Sequence, residues 1–448
     1  MKPTLLITTI IILLPSSYQL PQLALPVGSF YITLIEALIF ALVLIWFLNV
    51  IFFGSIRRGT SPFTGYVISV FLLYAAYIIW SLFKRDAIMV LGDFRQYMPL
   101  LLYFPLRHAL CDENRMEKLR DMLYVALFVV AVYTVVIFSL FKPALLAYAE
   151  KARTGFSGER IFIDNGIFLF FAYLGSITAA FFSISTSLPR KLYYALLILM
   201  NILALLILQV RTFWIMAALI FVLSVFAMKG VANKFKYVMV GLISISLCVL
   251  LVFLFVQATD YQSKTLDSIR ERLASFSDLG QVGSTTISEQ ETVGSVETRI
   301  ATAEYAMKTY IAPNWLFGLG FGSQTPMVNK LGAQGIMKFQ IDNGYLTLLL
   351  KFGLFGLLFY VIFTLKIIAE LTRIIFHPAT RDTDIWLAKS FLYAIIAMAA
   401  GSFFTSIFIR EQVCVVSFVI MLCEITLIKQ RLNGYETARV MQTMKQLA

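Results

Sequence analysis

The sequence predicts an all-α polytopic integral membrane protein of about 12 transmembrane helices, with one large outward-facing, partly helical loop. Three observations predict it. Apolar runs of about 20 residues, enough to cross a bilayer, recur along the 448-residue chain. Hydrophobic residues make up 60% and charged residues 14%, with a mean hydropathy of +0.83; soluble domains sit near half apolar and a quarter charged. Lys and Arg are concentrated in alternate short connections, the asymmetry that sets orientation. Within lipid the backbone must satisfy itself, so the spans are helices rather than open strands.

In chain order the runs fall near 4–20, 30–53, 63–83, 88–106, 120–141, 162–187, 191–209, 212–228, 236–257, 343–365, 385–408 and 412–429. The first is short and is followed by Pro15. It reads as a weak span or a signal-like segment with little basic flank. The chain then divides into a bundle over 1–257, a loop over 258–342, three spans over 343–430 and a tail over 431–448. The connections holding Arg57-Arg58, Arg115 to Arg120, Arg190-Lys191, Lys229 to Lys236, Lys366 to Arg381 and the tail are the basic ones, hence cytoplasmic. Both histidines, His108 and His377, fall on that side. The long loop faces outward and, in so tight a chain, reads as functional. Leu266, Ile269, Leu273 and Phe276 recur at helical spacing, as in a helix lying on the membrane. Residues 278–297 are acidic and free of Lys and Arg, like a mobile flap. Thr298 to Ala312 reads as a second helix, stopped by Pro313.

The formal net charge of +12 is scattered among short loops, so an anionic membrane lipid is a better partner than nucleic acid. The four cysteines fall in or beside apolar runs with no CxxC pair, which excludes a disulfide framework and a cysteine-bound metal. More telling are basic residues on the outer side, where they should be rare. Arg211 in "LILQVRTFWIM" has almost no loop around it, Arg410 lies in "FIREQ", and Arg95 sits about a turn inside its span. Arg160 and Arg299 are on the same side. Charge at membrane depth is costly and tends to be functional, although Arg also snorkels to the interface. Convergent guanidinium groups suit an anionic headgroup, since they grip phosphate oxygens bidentately. They would also stabilise a departing pyrophosphate.

"APNWLFGLGFGS" alternates Gly318, Gly320 and Gly322, which permits tight turns or close approach of a ligand. It is not a nucleotide-binding fingerprint. Asp342-Asn343-Gly344 then opens an apolar helix containing "KFGLFGLL". Asp342 has two readings: an N-cap, or a carboxylate that accepts a proton or orients a hydroxyl. Arginine beside a carboxylate favours its charged form and makes it a weak base. Orientation and leaving-group stabilisation would then carry more of the rate.

The order of these features resembles the O-antigen polymerase and ligase superfamily. It comprises an Arg299-headed helix, Pro313, Trp315, a G-x-G-x-G turn and an Asp-Asn pair opening a helix, with "RIFIDNGIFL" and Arg211 upstream. The resemblance implies a fold of the C-type glycosyltransferase kind in the bacterial inner membrane, with a periplasmic loop and a cytoplasmic C-terminus. It implies an undecaprenyl-pyrophosphate-linked oligosaccharide donor, inverting glycosyl transfer and no cofactor or metal. In a polymerase of lipopolysaccharide biosynthesis the acceptor is a second lipid-linked repeat unit; in a ligase it is lipid A core. A chain-length regulator of the polysaccharide co-polymerase type is an implied partner. Arg211, Arg299 and Asp342 become the expected catalytic residues. Arg95, Arg160, Asn165, Gly320, Asn343, Tyr345 and Arg410 become the expected substrate-binding residues. Ligases carry His-Asn where this chain has Asp342-Asn343, which tilts the expectation toward a polymerase. A lipid-linked glycan flippase is the alternative of another class, but no paired repeat is visible.

Overall fold

The computed structural model describes residues 24–27, 30–53, 61–110, 113–140, 165–183, 186–208, 211–228, 230–258, 299–328, 334–338, 341–403 and 412–447. The predicted first span, the surface helix over 262–276, the acidic stretch over 278–297, Arg160 and Arg410 lie outside these residues.

A short hairpin, β1 (Ala24–Val27) with β2 (Phe30–Thr33), leads into helix α1 (Leu34–Phe53). The helices α2 (Thr64–Leu82), α3 (Ala87–Phe94), α4 (Tyr103–Ala109), α5 (Glu113–Leu140), α6 (Asn165–Phe182) and α7 (Leu188–Leu208) follow. Then come α8 (Arg211–Ala227) and α9 (Val231–Ala258). Beyond 258 the chain is next described at α10 (residues 299–306), which continues as a π turn over Met307–Ile311 and a 3-10 turn over Ala312–Asn314. A second antiparallel hairpin, β3 (Thr325–Val328) with β4 (Gln334–Lys338), leads back to α11 (Gly344–Phe376). The chain finishes with α12 (Asp382–Gly401) and α13 (Gln412–Leu447).

Among the described residues, 6 helices are long and apolar enough to cross a membrane, and α1, α6 and α8 contain shorter apolar stretches. The protein is therefore a helical membrane protein. Lipid-facing stripes are visible as exposed apolar positions. Ile68, Leu72, Ile79 and Leu82 mark one on α2, and Phe355, Leu358, Ile362 and Leu365 mark one on α11. The main core packs α5 to α8 against α12 and α13 through buried residues such as Phe171, Ile177, Phe391 and Ile420.

One predicted span is corrected. Residues 88–106 are not one helix: α3 ends at Phe94, a 3-10 turn covers Met98–Leu102, and α4 begins at Tyr103. Pro99 has no N–H to donate and sits at the start of that turn. Asp93, fully buried at the end of α3, is tied to other elements rather than to a bilayer-crossing rod. The helical bundle expected from the sequence carries two short hairpins as well. β3–β4 has a structural use: it returns the chain from the glycine turn to Asp342.

Candidate functional site

The mouth of α11 is built by convergence of three helix ends. The N–H of Gly344 donates to the carbonyl of Ser402, just past the end of α12, at 2.8 Å. A side chain on Gly344 would lie 3.2 Å from Ser402 Cβ, and one on Gly401 would lie 2.8 Å from Met216 Sδ and 3.6 Å from Thr212 Cγ2. The small residues therefore let α11 begin where α12 ends and where α8 begins. Arg211 is the first residue of α8, so its backbone starts beside this mouth.

The helix cap is Asn343, not Asp342. Asn343 has extended backbone, and its Oδ1 accepts the N–H of Leu346 at 3.0 Å. Its amide also donates to the carbonyl of Phe403 at 3.0 Å. The reading of Asp342 as the cap is overturned by one position. Asp342 is left to face Arg299, with Oδ2 3.6 Å from Nε. The side chains are 29% and 45% exposed, so a ligand can reach both. At that distance and exposure the pair is worth at most about 1 kcal/mol and opens readily. Tyr345 is the second residue of α11; its hydroxyl donates to the carbonyl of Ala399 at 2.8 Å and its ring packs on Phe403.

The glycine turn makes the tight turns its spacing permits, and it docks on α11. Helix α11 is broken at Gly353, whose φ of 63° and ψ of −165° suit glycine almost alone. A straight helix would bond the N–H of Leu354 and Phe355 to the carbonyls of Leu350 and Lys351. Instead those carbonyls accept from Leu319 and Gly320 at 2.7 and 2.8 Å, and those N–H groups donate to Trp315 and Leu316 at 2.7 and 3.2 Å. The turn is spliced into the opened helix, so the break orphans none of these four groups. Gly318 and Gly320 have positive φ, and a side chain on Gly320 would lie 2.3 Å from Ser81 Oγ. Gly320 thus contacts the protein through both its N–H and its Cα face.

Beneath the turn lies a group that sequence reasoning missed. Lys351 Nζ is ion-paired with Asp93 Oδ2, and both side chains are fully buried. The same oxygen accepts the N–H of Gly322 at 2.8 Å. Arg85 donates to the carbonyls of Leu319 and Phe321 at 2.6 and 3.0 Å. Phe321 is buried amid the rings of Tyr74, Phe94, Tyr97 and Phe352. The signal was available: Asp93 and Lys351 are ionisable residues inside apolar runs.

The structure brings Arg299, Asp342, Asn343 and Tyr345 to one end of the bundle. Arg95 is paired with Glu36 of α1 at 3.7 Å. Asn165 and Arg211 each open a helix, and their side chains lie outside the described residues. His377 caps the opposite end of α11 from Asp342 and meets Glu436 of α13 at 3.0 Å.

The matched sequence covers this region. Residues 195–361 match the family model described as O-antigen ligase. Over these residues the match supports a likeness to the O-antigen polymerase and ligase superfamily. The superfamily match runs from within α7 to within α11, so it contains Arg211, Arg299, the glycine turn, Asp342, Asn343 and Tyr345. Arg95, Arg160, Asn165, Arg410 and Asp93 lie outside it. Members of the superfamily are membrane glycosyltransferases. No curated protein matches the chain.

Proposed function

We propose that the protein is a polysaccharide polymerase that joins undecaprenyl-pyrophosphate-linked oligosaccharide repeat units at the periplasmic face of the bacterial inner membrane. The observation that carries the reading is the loose, reachable Arg299–Asp342 pair at the mouth of α11, with capping delegated to Asn343. The donor's pyrophosphate competes for Arg299 and releases Asp342 toward the acceptor. The acceptor hydroxyl oxygen attacks the anomeric carbon from the face opposite the leaving group, inverting it. The carbon–oxygen bond to the pyrophosphate breaks, and the lipid pyrophosphate leaves with its charge held by arginine. Asp342 takes the hydroxyl proton or orients the hydroxyl while solvent takes it. Arg211, starting α8 beside the same mouth, is the second pyrophosphate ligand in this scheme. Arg160, Asn165 and Arg410 are proposed to extend the substrate site, and a chain-length regulator is the proposed protein partner.

Incubating the purified protein with lipid-linked repeat units tests the reading: a ladder of longer lipid-linked glycans is expected, with or without chelator. In the same assay Asp342→Asn cuts the ladder at least 10-fold if the carboxylate is a base, given the 10²–10⁴-fold range for such groups. Wild-type yield would leave Asp342 no role as base.

The description of the matched family as O-antigen ligase favours a second reading, transfer of the glycan to lipid A core. Cells decide between them. Loss of a polymerase leaves single repeats on the core, whereas loss of a ligase leaves none.

A further inference from the structure

A fully buried ion pair seldom adds net stability over apolar residues of the same volume, because both charges lose their water. Asp93 and Lys351 form such a pair across 258 positions of sequence. Asp93 Oδ1 is also buried with no hydrogen-bond partner, a cost that well-packed apolar residues would avoid. Such a pair is better suited to fixing geometry than to adding stability. The geometry it fixes is the entry of the glycine turn into the break of α11. Asp93 Oδ2 holds the Gly322 N–H at 2.8 Å, and Lys351 Nζ reaches the carbonyl of Ser323 at 3.5 Å.

Each side of that junction leads to one member of the candidate site. Upstream of the turn, through Pro313, lies α10, which carries Arg299. Upstream of the break lies the first segment of α11, which begins just after Asp342. The two are packed together by Ala306, Ile311, Ile341 and Leu350. Thr302 adds bonds to both the N–H and the carbonyl of Val328 in β3. That first segment is held at its mouth by Ser402 and at the break by the turn. The buried pair fastens the second of these points.

We infer that Asp93 and Lys351 are positioning residues: a buried clasp that keeps Arg299 and Asp342 in register without touching substrate. This rests on the proposed role of those two residues in glycosyl transfer. The test has two readouts, one independent of that role. Spin labels are placed at Glu304→Cys on α10 and Leu358→Cys on α11, both exposed, after the four native cysteines are replaced. The distance distribution between them is measured in reconstituted membranes without substrate. Turnover is then measured with native lipid-linked repeat units in unlabelled protein. The variants are Asp93→Asn, and the double change Asp93→Leu with Lys351→Met, which leaves no orphaned charge and keeps the site filled.

Both variants are expected to broaden or shift the label distance. Both are expected to lower kcat at least 10-fold while KM stays within about threefold, since a positioning defect acts on the reacting geometry more than on binding. If the single variant does not fold, the double variant decides. A wild-type distance distribution and wild-type kcat in a folded variant overturn the proposal. So does failure of both variants to fold, which makes the pair a folding element only. If the wild type turns nothing over, the polymerase reading fails, and the distance arm still judges the clasp.

Discussion

Asp342 and Asn343 divide two tasks between them. Asn343 satisfies the N–H of Leu346 and ties the helix start to Phe403. Asp342 faces Arg299. The division predicts opposite phenotypes for neighbouring substitutions. Asn343→Ala should lower stability by about 0.5–2 kcal/mol, the usual cost of a lost cap. That is read as a lower unfolding midpoint in detergent. Asp342→Asn should leave the midpoint unchanged and reduce turnover. An unfolding midpoint that falls more for Asp342→Asn than for Asn343→Ala would return capping to Asp342. Arg299→Lys keeps charge but loses the planar fork that grips two oxygens. The same lipid-linked ladder assay should show it impaired, and full activity would rule out bidentate pyrophosphate binding by Arg299. The Asp-Asn pair was legible in the sequence as a helix mouth, and the Arg299 helix was legible from its stop at Pro313. Which of two adjacent cap formers does the capping was not, because that depends on one residue's backbone angles.

At the scale of elements, α11 and the glycine turn are one unit. Gly353 is the hinge point where the helix opens, and a side chain there would lie 2.3 Å from the Leu316 carbonyl oxygen. Gly353→Ala should therefore expel the turn. We expect loss of turnover and faster backbone hydrogen exchange at Leu319, Gly320, Leu354 and Phe355, the donors of the splice. Unchanged exchange at all four would show that the junction survives without glycine. The sequence announced the glycines but not their partner. Periodicity reports which residues share a face of one element. The turn docks on backbone groups 31 positions away, between Leu319 and Leu350. Asp93 and Lys351 were obscured for the same reason: each reads alone as an odd charge in an apolar run, and only the fold pairs them. The interrupted stretch from α3 to α4 was partly legible in Pro99, but its mean apolarity resembled a span.

At the scale of the molecule, the end opposite the candidate site is closed by charges. Glu370 of α11, almost fully buried, meets Lys366 at 2.8 Å, Lys429 at 2.5 Å and Arg373 at 3.2 Å. Glu424 of α13 meets Arg120 of α5 at 2.6 Å and accepts from Tyr173 of α6 at 2.9 Å. Arg381 and Arg431 share Glu113 and Asp384, joining α5, α12 and α13. Breaking a buried pair from one side is costly, about 3–5 kcal/mol, whereas replacing both partners with apolar residues is often neutral. Glu424→Gln should lower the unfolding midpoint markedly, and Glu424→Leu with Arg120→Met should recover most of it. If the double variant is no more stable than the single one, the pair has a role beyond mutual neutralisation. This end was legible as the basic side, but its acidic partners were scattered singly along the sequence.

The bonding of the turn into α11 also sets a rule of length. Trp315 and Leu316 supply carbonyls, and Leu319 and Gly320 supply N–H groups four positions later. Leu350 and Lys351 on one lip of the break stand four positions from Leu354 and Phe355 on the other. The loop and the helix therefore keep the same count. One residue inserted or removed between 316 and 319 would leave the donors out of phase with the carbonyls they serve. For that short stretch, the number of residues matters before their identity does.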